Sequence, residues 1–375
     1  MKYKFEDIIF NITEKKKPVE EDKYNYIGLE HLESGNLFIS KWGSDTAPEG
    51  EKIVMKKGDV LFGKRRAYQK KVAISPVDGI FSAHGMVLRP KEDVICKEFL
   101  PFFISSEAFL NEAIRISVGG LSPTVNWKDI RELEFDLPSL AEQKDLAEKL
   151  WAAYEVKQSY LKMIAATEEM VKAQFIEMFG DQNINDRCWD ESIVKDEFSL
   201  SMGKTPSRNN PSYWESGTNK WVSISDMATY GRYTGGTQEL ITDKAVAESG
   251  IKMVPHGTII MSFKLSIGRT AVTSEDIYTN EAIMAFCDVN EKKFNKTFLY
   301  FLIANKNWLL NAKQAVKGQT LNKESIGNAK IIVPPVELQE HFASIYNQAD
   351  KSISELRKSV DAIDKVIKSL INENL

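Results

Sequence analysis

The sequence predicts an α+β protein in which two similar compact domains are joined by two long helices that pair as an antiparallel coiled coil. Three observations predict this fold: an internal repeat, heptad spacing of apolar residues after each copy, and short strand-like runs within each copy. The chain has 375 residues, of which 43% are hydrophobic and 27% charged. This is an ordinary globular balance, and the length suits two or three domains.

The repeat is clearest near the end of each copy. Residues 125–143 (VNWKDIRELEFDLPSLAEQ) align without a gap with residues 321–339 (LNKESIGNAKIIVPPVELQ), at an offset of 196. Three upstream stretches match in the same order: 25–32 with 220–227, 56–62 with 255–261, and 97–102 with 296–301. The repeat predicts two domains, each followed by a helical segment, with these bounds: domain 1–137, helix 138–180, domain 181–333 and helix 334–375.

The helical segments carry apolar residues at heptad spacing. In the second segment the seam is Ala349, Ile353, Leu356, Val360, Ile363, Ile367 and Leu370. In the first segment it is weaker, because Lys157 and Glu168 interrupt Leu150, Tyr154, Leu161, Ile164, Val171, Phe175 and Met178. Neither helix can bury its stripe alone, so we expect the two to bury their stripes against each other. The alternatives are a helix packed on its own domain and a homodimer zipper.

The two domains are read as mixed strands and helices. Short β-branched and aromatic runs such as KWVSISDM (220–227) and GTIIMSF (257–263) alternate with Gly- and Asn-rich turns. Each copy then has an apolar helical stretch. This pattern indicates a compact α+β domain in each copy.

Charge and cysteine content bound the class of protein. The net charge is −4, so any positive surface must be local. The cysteines Cys96, Cys188 and Cys287 are odd in number and far apart, which is typical of a reducing cytosol. No secretory leader and no apolar run near 18 residues is present, so we expect a cytoplasmic protein that does not span a membrane.

Catalytic motifs are absent from the sequence. It contains no phosphate-loop pattern, no HExxH, no GxSxG and no metal-like His/Cys cluster. The tetrad Asn210-Pro211-Ser212-Tyr213 resembles the Asn-Pro-Pro-Tyr tetrad of DNA adenine methyltransferases, but Ser212 replaces the second proline. We therefore expect a chain that is not an enzyme and holds no cofactor or metal of its own.

Basic and polar residues concentrate in three loops. Segment 51–76 holds eight Lys or Arg against two acids, and its equivalent 252–272 holds three basic residues and no acid. A third stretch, 202–227, is rich in Pro and Asn. Such side chains suit contacts with phosphates and base edges, whereas the alternative is a solvated or internally packed loop. The candidate DNA-binding residues are Lys64, Arg65, Arg66, Tyr68, Gln69, Lys70, Lys71, Lys204, Ser207, Arg208, Asn209, Tyr213, Trp214, Lys264 and Arg269.

A family resemblance follows from these residues. GKTPSRNNPSYWESGTNKWVSISDM (203–227) resembles a signature stretch of type I restriction–modification specificity subunits, with Gly-x-Thr-Pro-Ser, then Asn-Pro-x-Tyr-Trp, then Trp-Val-Ser-Ile-x-Asp-Met. The proline-led helix starts LPSLAEQ and VPPVELQ are similar to those of the same family, so the resemblance covers essentially the whole chain. The first copy departs from the pattern: NITEKKKPVEEDKY precedes NYIGLEHL and lacks Thr-Pro-Ser and Tyr-Trp. Such divergence is expected if the two domains read different sequences.

The resemblance implies a function. Each domain would recognise one half of a bipartite site on double-stranded DNA, and the helices would set the spacer. Two DNA adenine methyltransferase subunits, which bind S-adenosylmethionine, would dock on the helices, and an ATP-dependent translocating nuclease subunit can join them; ATP and Mg would be bound by these partners.

The residues expected at the helix–helix or partner contacts are Leu150, Leu161, Ile164, Val171, Phe175, Ile353, Leu356, Val360, Ile363 and Ile367. Two other readings stay open. One is a nuclease or methyltransferase with fused recognition domains, and the other is a coiled-coil scaffold that binds proteins only.

Overall fold

The computed structural model describes residues 1–264, 266–310, 314–315, 318–319 and 321–375, with 314–315 and 318–319 described by their backbone alone. The chain divides into two compact units, which we call unit 1 (Met1–Met163 with Glu355–Leu375) and unit 2 (Ile164–Ser354). The boundary between the units falls within both long helices. The four segments predicted from the repeat instead treat each helix as separate from its domain. Within the described residues, none of the helices has the length and apolar character needed to cross a membrane.

Unit 1 combines short strands with short helices and parts of both long helices. Its strands are β1 Lys2–Lys4, β2 Ile9–Ile12, β3 Lys15–Lys16, β4 Tyr26–Ile27, β5 Lys52–Met55, β6 Val60–Phe62, β7 Val72–Ile74, β8 Gly79–Phe81, β9 Met86–Pro90 and β10 Glu134–Asp136. Its helices are α1 Phe5–Ile8, α2 Leu100–Ser105, α3 Glu107–Arg115, α4 Trp127–Ile130 and the first part of α5 Leu140–Phe179.

Unit 2 is built from the same kinds of element. Its strands are β11 Glu191–Ile193, β12 Ser199–Met202, β13 Asn219–Val222, β14 Glu239–Ile241, β15 Ile259–Ser262, β16 Thr270–Val272, β17 Tyr278–Thr279, β18 Ile283–Cys287, β19 Gln314–Ala315, β20 Gly318–Gln319 and β21 Lys330–Ile332. Its helices are α6 Val194–Glu197, α7 Ile224–Met227, α8 Asp243–Ser249, α9 Lys296–Asn305, α10 Lys323–Gly327 and the first part of α11 Val336–Asn372.

The sheets of the two units correspond strand by strand. The antiparallel sheet β2-β9-β6-β7 of unit 1 has its equivalent in β12-β18-β15-β16 of unit 2, and the pair β1-β10 has its equivalent in β11-β21. Each unit also contains one parallel pair, β4 with β8 and β13 with β17. The predicted repeat and the mixed strand-and-helix class are confirmed. The units differ around the parallel pair, where β3 and β5 join unit 1 and β14 joins unit 2.

Aromatic side chains fill the main core of each unit. In unit 1, Phe5, Phe103, Phe109 and Phe135 lie on elements distant in sequence, and their ring centroids are 5.0–6.4 Å apart. In unit 2 the rings of Phe175, Phe179, Phe298, Phe301 and Phe342 pack together in the same way. Buried aromatic residues contribute more apolar area than other side chains, so these clusters hold strands and helices together without disulfides.

Parts of both long helices enter these cores. In unit 1 Leu146, Leu150 and Tyr154 of α5 share one apolar cluster with Ile371 of α11. In unit 2 Val171, Phe175 and Phe179 of α5 share a cluster with Phe342 and Ala349 of α11. The predicted seam residues of α11 are buried or partly buried: Ala349, Ile353, Leu356, Val360, Ile363, Ile367 and Leu370.

Two positions of the α5 seam need correction. Leu161, expected at the helix contact, is 38% exposed. Lys157, expected only to interrupt the seam, is nearly buried, and its ammonium lies 2.6 Å from the Asp364 carboxylate of α11. A lysine is accepted on a buried face when a carboxylate compensates its charge, and the sequence alone did not indicate which acid would do so.

The same buried side chain attaches each long helix to its domain. Gln143 and Gln339 are fully buried and occupy equivalent positions near the starts of α5 and α11. The Gln143 amide donates to the carbonyls of Val94 (2.9 Å) and Pro138 (3.0 Å) and accepts from the Cys96 N–H (2.9 Å). We call this arrangement the glutamine latch.

The latch of unit 2 repeats that of unit 1 bond for bond. The Gln339 amide donates to the carbonyls of Lys293 (3.0 Å) and Pro334 (2.8 Å) and accepts from the Asn295 N–H (2.9 Å). Each glutamine thereby satisfies backbone groups that no helix or strand would satisfy. The proline and glutamine that the helix starts LPSLAEQ and VPPVELQ share are therefore a structural motif.

A second tie joins a loop to a long helix in each unit. In unit 1 the Tyr154 hydroxyl donates to Asn36 (2.7 Å) and accepts from the Leu37 N–H (2.5 Å). In unit 2 the Arg232 guanidinium lies 3.3 Å from Asp350, which is the repeat equivalent of Tyr154. The two contacts lie at equivalent positions of the long helices, but one is a hydrogen bond of a tyrosine and the other is an ion pair.

Replacing Gln143 with alanine should lower the free energy of unfolding by about 2 kcal/mol or more, because buried backbone groups at Val94 and Cys96 lose their partners. Urea denaturation measures the loss, and hydrogen exchange at the Cys96 amide locates it. Gln348→Ala, an exposed glutamine on α11, is the matched control and should change stability by less than about 0.5 kcal/mol. Equal stability of the two variants would contradict the latch.

Candidate nucleic-acid interface

The basic stretch of unit 1 forms a loop, residues 63–71, fixed by its backbone. The Gly63 N–H donates to the Lys71 carbonyl (2.9 Å), the Arg65 N–H to His84 (3.1 Å), and the Arg66 N–H to Pro123 (2.6 Å). Arg66 and Lys70 adopt left-handed conformations, with φ of 57° and 50°. Such a conformation costs a non-glycine residue about 1–2 kcal/mol and persists only where the surroundings impose it. The loop is therefore held in one shape.

The two arginines of this loop are held by neutral partners. Arg65 lies 3.3 Å from Nε2 of His84 and 3.5 Å from the Ser122 hydroxyl, to which Arg66 Nε also donates (3.2 Å). These contacts orient the guanidinium groups and leave their positive charge uncompensated. A phosphate approaching them would meet oriented donors.

Neighbouring cations reinforce this positive surface. Burial lowers the pKa of Lys64, and the nearby Lys15 lowers it further. Burial also lowers the pKa of His84, as do Arg65 and Lys64. A positive charge lowers the pKa of a neighbouring basic group only when the two are close together. An anion bound among these groups would relieve the repulsion between their positive charges. This surface, Lys64, Arg65, Arg66 and His84, is called the basic cluster below.

A second loop completes the surface. Residues 118–124 form a tight turn that is closed by bridges between Val118 and Thr124 and between Thr124 and Arg65. The Val125 N–H also donates to the Lys64 carbonyl (3.0 Å). This loop and His84 were missed in the sequence, although Gly119, Gly120 and Pro123 are turn residues.

The structure divides the predicted patch of unit 1. The Lys71 ammonium donates to the Leu29 carbonyl (2.6 Å). Lys70 lines a cavity of about 260 Å³ with Glu107 and Lys368. Tyr68 is half exposed and Gln69 is partly buried. The loop therefore brings Lys64, Arg65 and Arg66 together. Lys71 contacts the Leu29 carbonyl instead, and Lys70 lines the cavity.

Among the described residues, unit 2 shows no such cluster at the equivalent place, and candidates such as Trp214 and Lys264 lie near Arg208. The Arg208 guanidinium forms a bidentate ion pair with Glu239 and stacks on Trp214, 3.8 Å from the ring centroid. Trp221 lies 5.0 Å from the same guanidinium. The hydrogen bond to Glu239 raises the pKa of Arg208, and the same bond lowers the pKa of Glu239.

The surrounding loop is packed by its own side chains. Trp214 Nε1 donates to the Ser207 carbonyl (3.1 Å), and Trp221 Nε1 donates to the Lys204 carbonyl (3.0 Å). Asn210 caps a 3-10 turn at Pro211–Tyr213. The tetrad that resembles a methyltransferase motif therefore serves this turn.

Further contacts fix the edges of the loop. The Tyr213 hydroxyl donates to Glu248 (2.9 Å), and this bond raises the pKa of Tyr213. The Lys204 ammonium donates to the Ser249 carbonyl. Gly203 has no room for a side chain, because a Cβ there would approach the carbonyl oxygens of Thr279 and Asn280 to 2.2 Å. Steric exclusion explains the glycine that opens this stretch.

A shallow groove runs beside Arg208. Its lining includes Thr205, Ser223, Glu239, Lys264 and Glu281. The Thr205 hydroxyl donates to Glu281, which lowers the pKa of that carboxyl group. Donors and acceptors therefore both line this groove, the combination that base edges require.

The remaining candidates of unit 2 are Ser207, Asn209 and Arg269, which are exposed. In the part of the chain that the structure describes, no group of three or more His, Cys, Asp or Glu side chains is placed to hold a metal ion.

Comparison with known proteins gives a consistent result. The family model of the type I restriction modification DNA specificity domain matches residues 2–159 and 187–363. The type I restriction enzyme MjaIX specificity subunit of Methanocaldococcus jannaschii is 26% identical over 203 residues, which cover 52% of this chain and 46% of that protein. The chain thus spans about half the length of this curated relative.

Two solved structures share the fold. One, from work on complex assembly and conformational transition of the type I R-M system, has a TM-score of 0.54 at 18% identity and covers 100% of this chain and 97% of its own. The other is the type I restriction-modification system S subunit from M. genitalium, with a TM-score of 0.53 at 13% identity, covering 99% and 94%.

Changing Arg65 and Arg66 together to glutamine should lower the slope of log K against log salt by about 2, because each phosphate contact contributes about 1 to it. The measurement is fluorescence anisotropy with a duplex of arbitrary sequence, titrated over a range of salt concentrations. Lys2→Gln with Lys4→Gln is the control, since these lysines already pair with Glu134 (3.1 Å) and Glu132 (2.8 Å). If both double variants keep the original slope, the basic cluster does not bind phosphates.

Proposed function

The chain belongs to the family of type I restriction modification DNA specificity domains, and we propose that it reads a bipartite site on double-stranded DNA as the specificity subunit of a type I restriction–modification complex. One observation carries the proposal beyond family membership. Two copies of one fold build their candidate surfaces from different loops and different side chains: unit 1 presents arginines held by neutral groups, and unit 2 presents an arginine held by Glu239 and Trp214. A protein that reads two unlike half-sites requires this combination of a shared frame and divergent surfaces.

The basic cluster of unit 1 would contact the DNA backbone and a base edge. Arg65 and Arg66 are oriented by Ser122 and His84, which carry no compensating charge. Oriented guanidinium groups donate in pairs to phosphate oxygens or to O6 and N7 of guanine. Because their hydrogen-bond partners are neutral, DNA can bind without first breaking an ion pair.

Unit 2 would read its half-site through Arg208. In the free chain this side chain is stacked on Trp214 and paired with Glu239. Stacking keeps the guanidinium extended, so that a guanine edge can replace the carboxylate with little loss of side-chain freedom. The need to replace Glu239 would disfavour any base that cannot offer two acceptors, and this penalty adds specificity.

The long helices would set the distance between the half-sites by pairing as an antiparallel coiled coil. The contacts support this direction: Lys157 of α5 meets Asp364 of α11, whereas Phe175, later in α5, meets Phe342, near the start of α11. Helix α5 alone has 40 residues, about 60 Å at 1.5 Å per residue. One continuous helix contributes to both units, so its length would fix the spacer.

We further propose that methyltransferase subunits dock on α5. Val156, Met163, Met170 and Ile176 recur at nearly heptad spacing on this helix and are 45–59% exposed. A second apolar stripe at that spacing suits a helix of a partner subunit. The partners would bring S-adenosylmethionine, and a translocating nuclease subunit would bring ATP and Mg. This chain would supply specificity and no catalytic group.

The test is a methylation map. The chain is co-expressed with its methyltransferase subunit in a host that lacks adenine methylation, and modified adenines are located by long-read sequencing. We expect one bipartite motif with a fixed gap, and its loss when the chain is omitted. An intact complex that methylates nothing would instead favour the protein scaffold. Methylation by the chain alone would favour the fused enzyme.

Changing Arg208 to alanine should relax one half of that motif and leave the other half and the gap unchanged. A lost bidentate contact with guanine costs about 1–3 kcal/mol at one position. Arg208→Lys keeps the charge but loses the planar fork, so it should relax the same position while retaining more affinity. Arg187→Ala is the control, because this exposed arginine donates to the Glu177 carbonyl (3.1 Å), outside the loop that holds Arg208. A motif unchanged by Arg208→Ala would remove this residue from base recognition.

A further inference from the structure

We propose that Leu121 is an apolar wedge that unit 1 inserts between stacked bases of its DNA half-site. This inference rests on the proposed function, since it needs a DNA duplex to bind beside the basic cluster. It assigns a role to a residue that the charge pattern does not indicate.

The exposure of Leu121 is the first observation. Its side chain is 97% exposed, the highest value among the large apolar residues that the structure describes. Val118, in the same loop, is 60% exposed. Single exposed leucines are common on protein surfaces, so exposure alone would carry no argument. The argument for a role of Leu121 therefore depends on the loop that carries it and on the charges beside that loop.

The loop that presents Leu121 is anchored at its base. The bridges between Val118 and Thr124 and between Thr124 and Arg65 close it. Arg66 contributes two further bonds, through its N–H to the Pro123 carbonyl (2.6 Å) and through Nε to the Ser122 hydroxyl (3.2 Å). A side chain projected from an anchored turn loses little freedom when it is inserted.

Glycine residues leave space around the tip. Gly119 has a φ of 121°, which side chains other than glycine rarely adopt, and it turns the chain sharply before Leu121. At Gly120 no atom lies within 4 Å of the position a side chain would take. The backbone beside Leu121 can therefore approach another molecule closely on the side where Gly120 lies.

The positive charge beside the loop indicates that Leu121 contacts DNA and not an apolar protein. The two residues that tie down the loop, Arg65 and Arg66, belong to the basic cluster, and His84 and Lys64 lie next to them. An apolar protein partner would gain nothing from the arginines that hold the loop. A DNA duplex offers phosphates for the cations and stacked bases for the leucine. Apolar side chains that enter between base steps unstack and kink the duplex in this way.

The experiment measures base stacking within the complex. The full chain with its methyltransferase subunits is bound to a duplex that carries the motif found by methylation mapping, with 2-aminopurine replacing one base at a time. The methylated adenines are not replaced, because methyltransferases extrude that base whatever Leu121 does. We expect wild-type complex to raise the fluorescence at one step of one half-site.

Three variants test the assignment. Leu121→Ala should lose the fluorescence rise and bind roughly tenfold more weakly, whereas Leu121→Phe, which is larger and apolar, should keep the rise. Ile184→Ala, an exposed aliphatic residue of unit 2 at 70% exposure, is the matched control and should behave as wild type.

The outcomes separate the two proposals. If wild-type complex methylates its motif and Leu121→Ala gives the same fluorescence and affinity as wild type, the wedge is wrong and the specificity function stands. If Leu121→Ala instead loses its methyltransferase subunit during purification, the leucine binds protein and the wedge is also wrong. If wild-type complex methylates no motif, both proposals fall.

Discussion

The attachment of each long helix to its domain through a buried glutamine is the interaction on which the rest of the structure depends. A helix of about 40 residues has a large apolar stripe, and small errors in its starting direction grow along its length. Gln143 and Gln339 are fully buried, and each bonds to backbone groups on both sides of the junction. The side-chain amide has donors and an acceptor in one plane, so it fixes direction as well as distance. An apolar residue of equal size would fill the space and leave the direction free.

This fixed frame allows the surfaces of the two units to diverge. Equivalent sheets and equivalent latches persist in both units, while the loops around the parallel strand pair differ. In unit 1 the arginines are held by neutral groups, and in unit 2 Arg208 is held by Glu239 and an aromatic face. The two arrangements of arginine therefore differ in the free energy needed to release the side chain, as well as in sequence. In the proposed function the first would attract DNA without breaking an ion pair, and the second would require that a base edge replace a carboxylate.

Periodic features could be predicted from the sequence, and contacts across the chain could not. The repeat and the seam of α11 follow from spacing, and both appear in the structure. The sequence predicts only that Lys157 interrupts the apolar seam of α5. Its partner Asp364 is 207 residues away, and no local pattern connects the two. The basic stretch 64–71 predicts one patch, but after a 3-10 turn at Ala67–Gln69 Lys70 lines a cavity and Lys71 donates to the Leu29 carbonyl. The loop that holds Arg66 was missed, since Ser122 lies 56 residues further along the chain.

The net charge of −4 is compatible with a DNA-binding surface, because charge acts locally and several acids elsewhere are paired with lysines. Glu132 and Glu134 pair with Lys4 and Lys2 at the strand pair β1-β10, and Asp364 pairs with Lys157. Non-specific binding to DNA depends almost entirely on the number of phosphates neutralised, so ion pairs that occupy lysines elsewhere would lower the affinity for arbitrary DNA. In the proposed function Arg65 and Arg66 would remain available to DNA, because their hydrogen-bond partners are neutral. We therefore infer that an acidic chain that reads a bipartite site would gain in the ratio of specific to non-specific binding.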